Sequence, residues 1–142
     1  MGDTVVPRFC QPFGDQKFTW QNRGTTVIKI NLLFEVGICG SDISFWKKGC
    51  IGKWIVAEPI ICGHESSAVV IAVGKNVNRL KIGDRVAVEP GISCMKCTEC
   101  FNGQYNLCPE VTYHACPSPV DGTAVHGSLR RYFNHPAAYC HM

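Results

Sequence analysis

No apolar run in this chain approaches the roughly 20 residues a bilayer-spanning helix requires; glycine, cysteine or a charge interrupts every one of them first. The first twenty residues hold Asp3, Arg8, Pro12 and Asp15 around no apolar centre, so no secretory signal is expected there. Basic residues are scattered, the net charge is only +3, and no basic stripe alternates with aromatics. Nucleic acid is therefore not an expected partner, and neither is a membrane. There is no internal repeat, low-complexity tract, linker or convincing long segment of 3.6-residue apolar period. A disordered chain is excluded as well, because 46% of the residues are hydrophobic and only 18% charged. With 142 residues the chain amounts to one domain that can bury about two-thirds of its extended surface.

Cysteine, by contrast, is abundant. Of ten cysteines, Cys94, Cys97, Cys100 and Cys108 stand two, two and seven residues apart. The short spacings let successive thiolates turn inward around one ion, and the longer arm lets the fourth close a tetrahedron with bonds of about 2.3 Å. Gly91, Gly103 and Asn106 make the surrounding stretch a small irregular lobe. Zinc is the favoured ion because nothing else in the chain suggests electron transfer, although spacing alone is compatible with an iron–sulfur cluster. The bland alternative is four unligated or disulfide-bonded cysteines. A closed four-cysteine site is structural: it staples the fold and names no reaction. The other six cysteines (Cys10, Cys39, Cys50, Cys62, Cys116 and Cys140) are widely spread, so a reducing, cytoplasmic compartment is expected.

Along the chain, residues 1–24 are weakly patterned and predict one or two ragged strands. Residues 25–34, with Val27, Ile28, Ile30, Leu32 and Leu33, predict a strand. Gly37 and Gly40 turn the chain around Cys39, and residues 41–48 predict a short helix begun by Ser41 or Asp42 with Phe45 and Trp46 beneath it. Strands are predicted over 68–73 and over 85–88, the latter after a Gly83-Asp84 turn, and again over 129–133 beyond a loop marked by Pro117, Pro119 and Asp121-Gly122. Many short strands with glycine turns predict a mostly β, compact, barrel-like domain.

A second constellation joins Cys39 to the pair His64-Glu65, offering a thiolate, an imidazole and a carboxylate. Three protein ligands with a displaceable fourth position are the signature of a catalytic metal site. Neighbours on a regular strand point to opposite faces. His64 and Glu65 can therefore share an ion only if the backbone leaves the pleat, and Gly63 permits that. Taken singly, His64 reads equally as a hydrogen-bonded core histidine, Glu65 as a surface carboxylate and Cys39 as a small core residue.

Together, the runs Val36-Gly37-Ile38-Cys39-Gly40-Ser41-Asp42, Gly63-His64-Glu65 and Gly83-Asp84-Arg85-Val86 and the four-cysteine lobe resemble the zinc-dependent medium-chain dehydrogenases. Phe45-Trp46, Gly52, Glu89-Pro90-Gly91 and Tyr105-Asn106-Leu107 are similar to the sorbitol dehydrogenases among them. The resemblance is firm over 36–109, looser beyond and poor before Thr25. It implies a GroES-like, partly open β-barrel over 25–142 with a structural-zinc lobe at 91–109. It also implies a catalytic zinc on Cys39, His64 and Glu65, a structural zinc on the four cysteines, and a proton-relaying hydroxyl at Ser41. Phe45 falls where the sorbitol enzymes carry a substrate-contacting tyrosine, and Asp42 reads as a turn anchor. The implied reaction oxidises a secondary hydroxyl of a polyol to a ketose with hydride transfer to NAD or NADP. No two glycines in the chain are separated by a single residue, so the Gly-x-Gly-x-x-Gly of a Rossmann cofactor domain is absent. The chain is accordingly expected to be an inactive portion of such an enzyme when alone. It could associate with its own copies or with full-length subunits. The competing expectation is a non-enzymatic zinc-binding or interaction module that presents Trp46, Trp54 or Tyr105, or a truncated product without function.

Overall fold

The computed structural model describes residues 27–142; the strands expected within residues 1–24, and Cys10, lie outside the described residues. Strand β1 (Val27–Gly37) leads into helix α1 (Gly40–Lys48), then the short hairpin β2 (Cys50–Ile51) and β3 (Trp54–Ile55). The long strand β4 (Glu65–Val73) and β5 (Arg85–Val88) follow. The cysteine lobe lies between β6 (Gly91–Ile92) and β7 (Thr112–Tyr113) and contains one helical turn, α2 (Thr98–Phe101). A second small hairpin, β8 (Cys116–Pro117) and β9 (Ala124–Val125), precedes β10 (Tyr132–Pro136) and β11 (Cys140–His141).

Five strands form one antiparallel sheet in the order β10-β1-β4-β5-β11. Its two edge strands are joined by only three residues, Ala137–Tyr139. Four Cα–Cα steps reach about 15 Å at most, whereas the edges of a flat five-stranded sheet lie about 19 Å apart. The sheet must therefore curl until its edges approach. No pairing joins β10 to β11 among the described residues, so the result is an open, mostly β half-barrel. Arg79 pins the short link by donating from Nη2 to the carbonyl oxygens of Ala137 (2.7 Å) and Cys140 (2.5 Å).

The inside of the curl is the core: Ile28, Ala68, Val70, Leu80, Val86, Val88, Phe133, Ala137 and Cys140. Strand β5 alternates as its sequence demands, with Val86 and Val88 buried and Arg85 and Ala87 exposed. On β10 the inward positions are Phe133 and His135. Two expectations need correction. The strand placed at 129–133 runs from Tyr132 to Pro136, because the backbone of 127–129 is engaged with residues 61–63 and pairing with β1 starts only at Tyr132, opposite Asn31. Trp46 does not pack beneath helix α1: it is 61% exposed, while Phe45, one residue away on the wheel, is buried.

Candidate functional site

The pairing of β1 with β4 assembles the first site. The register sets Gly37 opposite Glu65, so the chain leaving β1 at Cys39 passes the residues entering β4. Strand β4 begins at Glu65, which leaves His64 outside the pleat, and Gly63 has φ +89°, a left-handed conformation that glycine adopts without strain. The Cys39 sulfur, an imidazole nitrogen of His64 and a carboxylate oxygen of Glu65 consequently lie within 4.8 Å of one another.

Asp42 organises this bend. Its carboxylate is buried in the first turn of α1 and accepts the Cys39 N–H at 3.0 Å and the Gly63 N–H at 2.9 Å. Its Oδ1 also stands 3.6 Å from His64 Nδ1. That carboxylate favours the proton on Nδ1 and leaves the Nε2 lone pair for a metal or a donor. Ser41 Oγ lies 3.2 Å from that Nε2. The sequence reading made Asp42 a turn anchor only; its hold on the histidine appears once the fold closes.

Ser41 and His64 open onto a cleft of about 190 Å³ also lined by Phe45, Ile51, Trp54, Tyr113 and His114. Phe45 thus reaches the cleft wall from the buried side of its helix, and Trp54, expected at the surface, is half-buried there. His114 had no sequence signal as a site residue, because its loop reaches the cleft only through tertiary folding. Desolvation holds its imidazole down at about 3, with help from His135 and Arg130, so it faces the cleft neutral. Its ring meets that of the buried His135 edge-on at 4.9 Å, and His135 Nε2 donates to the Glu89 carbonyl oxygen at 3.0 Å.

The lobe brings Cys94, Cys97, Cys100 and Cys108 together with their sulfurs within 4.8 Å of one another. The Cys97–Cys100 and Cys94–Cys100 sulfur separations are 3.4 and 4.0 Å. A tetrahedral zinc with bonds of about 2.3 Å places its sulfurs about 3.8 Å apart, so the four fit such an ion. None of the nine described cysteines is disulfide-bonded. The Lys96 N–H draws Cys94 down to about 7. Cys97 is pushed up to about 12: the Cys100 N–H favours its thiolate, but desolvation and hydrogen bonds with the Cys100, Glu99 and Cys94 side chains outweigh it. Sulfurs this close cannot all be anionic without a cation among them. At the other site, one soft thiolate, one imidazole and one carboxylate with an open side fit zinc as well. The lobe is tied to the domain by Ser93, whose N–H donates to the Tyr139 hydroxyl at 3.1 Å.

Among the described residues, no helix is long and apolar enough to cross a membrane. Residues 22–142 match the family model of the alcohol dehydrogenase GroES-like domain. The chain is 56% identical over 107 residues to an L-arabinitol 4-dehydrogenase of Talaromyces emersonii, covering 75% of this chain and 26% of that protein. It is 42% identical over 134 residues to the "Probable D-xylulose reductase A" of Arthroderma otae, covering 90% and 36%. Among solved structures, CAD from Helicobacter pylori complexed with NADP(H) aligns with a TM-score of 0.68 at 30% identity, covering 82% of this chain and 33% of that one. The chain spans about a quarter to a third of the length of these relatives. With the curled sheet, the three-donor bend and the four-cysteine lobe beside them, these matches show that the chain belongs to the zinc-dependent medium-chain dehydrogenases, in their polyol-dehydrogenase-like branch, and carries their GroES-like domain.

Proposed function

We propose that this chain is the substrate-binding, zinc-carrying part of a polyol dehydrogenase that oxidises a secondary hydroxyl to a ketone. The observation that carries the reading is the meeting of Cys39, His64 and Glu65 beside Ser41 at the mouth of the cleft. Cys39, His64 and Glu65 would hold a catalytic zinc, and Cys94, Cys97, Cys100 and Cys108 a structural one. A zinc ion supplies Lewis acidity toward an alcohol oxygen when bound. Ser41 Oγ, which donates to His64 Nε2 while that lone pair is free, would be released by an ion there and lines the cleft where it could take up the hydroxyl proton. Asp42 keeps that histidine in one tautomer. Phe45, Ile51 and Trp54 exclude water from the carbon chain, and the neutral His114 offers the cleft wall a polar nitrogen for a neighbouring hydroxyl.

The hydride acceptor is a nicotinamide dinucleotide, which the names and titles of the relatives support. This sequence holds no Gly-x-Gly-x-x-Gly for it, so hydride transfer requires a cofactor-binding partner or domain. The test is direct. Xylitol or L-arabinitol should raise the melting temperature of the zinc-loaded chain, with no such rise in the Cys39→Ser variant. The chain alone should reduce neither NAD+ nor NADP+ in the presence of either polyol. Robust turnover by the chain alone, or an equal thermal shift in Cys39→Ser, would overturn the reading.

A further inference from the structure

We infer that residues 126–129 are a clamp that positions the metal-binding bend, with Gly127 and His126 as its working parts; this rests on reading Cys39, His64 and Glu65 as a metal site. His64 can serve there only while residues 61–63 hold it out of the β4 pleat. At least five backbone N–H and C=O groups of that stretch find partners elsewhere among the described residues, four of them on 126–129. Ile61 N–H donates to His126 Nδ1 at 3.3 Å. In return the N–H groups of Gly127, Ser128 and Leu129 donate to the carbonyl oxygens of Ile61 (2.6 Å), Gly63 (2.8 Å) and Cys62 (2.9 Å). The fifth, Gly63 N–H, goes to Asp42 on α1. The bend is therefore gripped from both sides, by the helix that follows Cys39 and by the loop that precedes β10.

Steric fit makes the grip specific. A Cβ on Gly127 would fall on the Gly63 carbonyl oxygen and stand 2.5 Å from that of Cys62. Those neighbours are backbone, so no side-chain rotation can relieve the clash. A Cβ on Gly63 would conversely stand 2.8 Å from Leu129 Cγ and 3.1 Å from the Leu129 nitrogen. Ser128, between them, has no exposed surface. A displacement of 126–129 consequently moves His64 relative to Cys39, while the four-cysteine lobe, which is held through Ser93 and Tyr139, stays in place.

The experiment titrates the full 142-residue chain with Zn²⁺ against a chromophoric chelator, alongside metal analysis and far-ultraviolet circular dichroism. The wild type should bind two ions, one for each donor cluster. Gly127→Ala should keep one ion and an unchanged spectrum while the affinity for the second falls roughly ten- to a hundredfold. His126→Phe should weaken the second ion by roughly three- to tenfold, and His126→Asn, which restores an acceptor for Ile61 N–H, should recover most of the loss. Cys39→Ser serves as the reference that removes the second ion. If Cys39→Ser retains both ions, the metal-site reading itself falls and the clamp with it. If Cys39→Ser loses one while Gly127→Ala and His126→Phe bind the second as the wild type does, the clamp alone is overturned. Should Gly127→Ala fail to fold, the His126 pair decides: wild-type affinity in His126→Phe refutes the proposal.

Discussion

Asp42 joins the start of helix α1 to the bend before β4. Its two oxygens accept two backbone N–H groups, and it is only 4% exposed, so no water can take its place. Asp42→Asn would set an amide NH₂ against a backbone donor in a buried site, at a cost of about 1–3 kcal/mol, and would remove the charge facing His64. Urea denaturation should record the loss and a zinc titration should show weaker binding at Cys39, His64 and Glu65; a variant unchanged in both would contradict this role. His135 supports a pH prediction. Burial lowers its imidazole to about 4 and that of His114 to about 3, below the ordinary 6.5. The unfolded chain therefore binds more protons than the folded one between those values, and stability contributed above about 6.5 is lost as the pH falls toward 4. Each histidine adds a slope of at most about 1.4 kcal/mol per pH unit. Urea midpoints from pH 7 to 4 at saturating zinc should fall, and His135→Phe should lessen the slope; an identical slope would remove His135 as its cause. At this scale the four cysteines were legible from their local spacing, whereas Cys39 was joined firmly to His64 and Glu65 only through the family resemblance, since the pairing of β1 with β4 brings them together. His114, His126 and the His64 contact of Asp42 were not, because each is brought to the site from a distant segment or across the closed fold.

The elements divide the work of the two metal clusters. The lobe between β6 and β7 contains a four-residue helix and a single 3₁₀ turn, Tyr105–Leu107, too little regular structure to hold itself. A metal bound there would supply folding energy to the lobe. The first site is carried instead by β1, α1 and β4, whose backbone pairing exists without it. Cys97→Ser should thus release one ion and make the amides of residues 94–108 exchange rapidly, whereas Cys39→Ser should release one ion and leave lobe protection unchanged. Hydrogen exchange with metal analysis reads both; equal loss of protection in the two variants would contradict the division. Strand β5 was readable from its alternation after the Gly83-Asp84 turn, and helix α1 from Ser41 and Asp42 at its start. Strand β10 was placed too early because Leu129 looks like the start of a strand, yet its N–H donates to the Cys62 carbonyl oxygen, that of Arg130 turns back to Ser128, and pairing with β1 starts at Tyr132. Strand β11 has two residues and exists only through its pairing with β5, so no local pattern could reveal it.

For the whole molecule, the curl of the sheet sets what the domain can do. It places the ends of β1 and β4 at one rim, the lobe beside them and the cleft between hairpins. Phe133 has no exposed surface at the centre of the curl, and Phe133→Ala should cost about 3–5 kcal/mol in a thermal or urea melt; a change below 1 kcal/mol would show that the interior is not packed around it. The half-barrel was legible as many short strands separated by glycine turns, whereas its openness and strand order depend on pairings such as Val27 with Pro136, residues more than a hundred positions apart. In the proposed function this domain supplies polyol chemistry to a dinucleotide-binding partner. The measurement that tests it most directly fuses the chain to the cofactor-binding part of an L-arabinitol 4-dehydrogenase and follows NADH formation with L-arabinitol, xylitol and ethanol. Turnover is expected with the polyols and little with ethanol, with a loss of at least about a hundredfold in Cys39→Ser and His64→Ala. Polyol turnover that survives both substitutions would contradict that function.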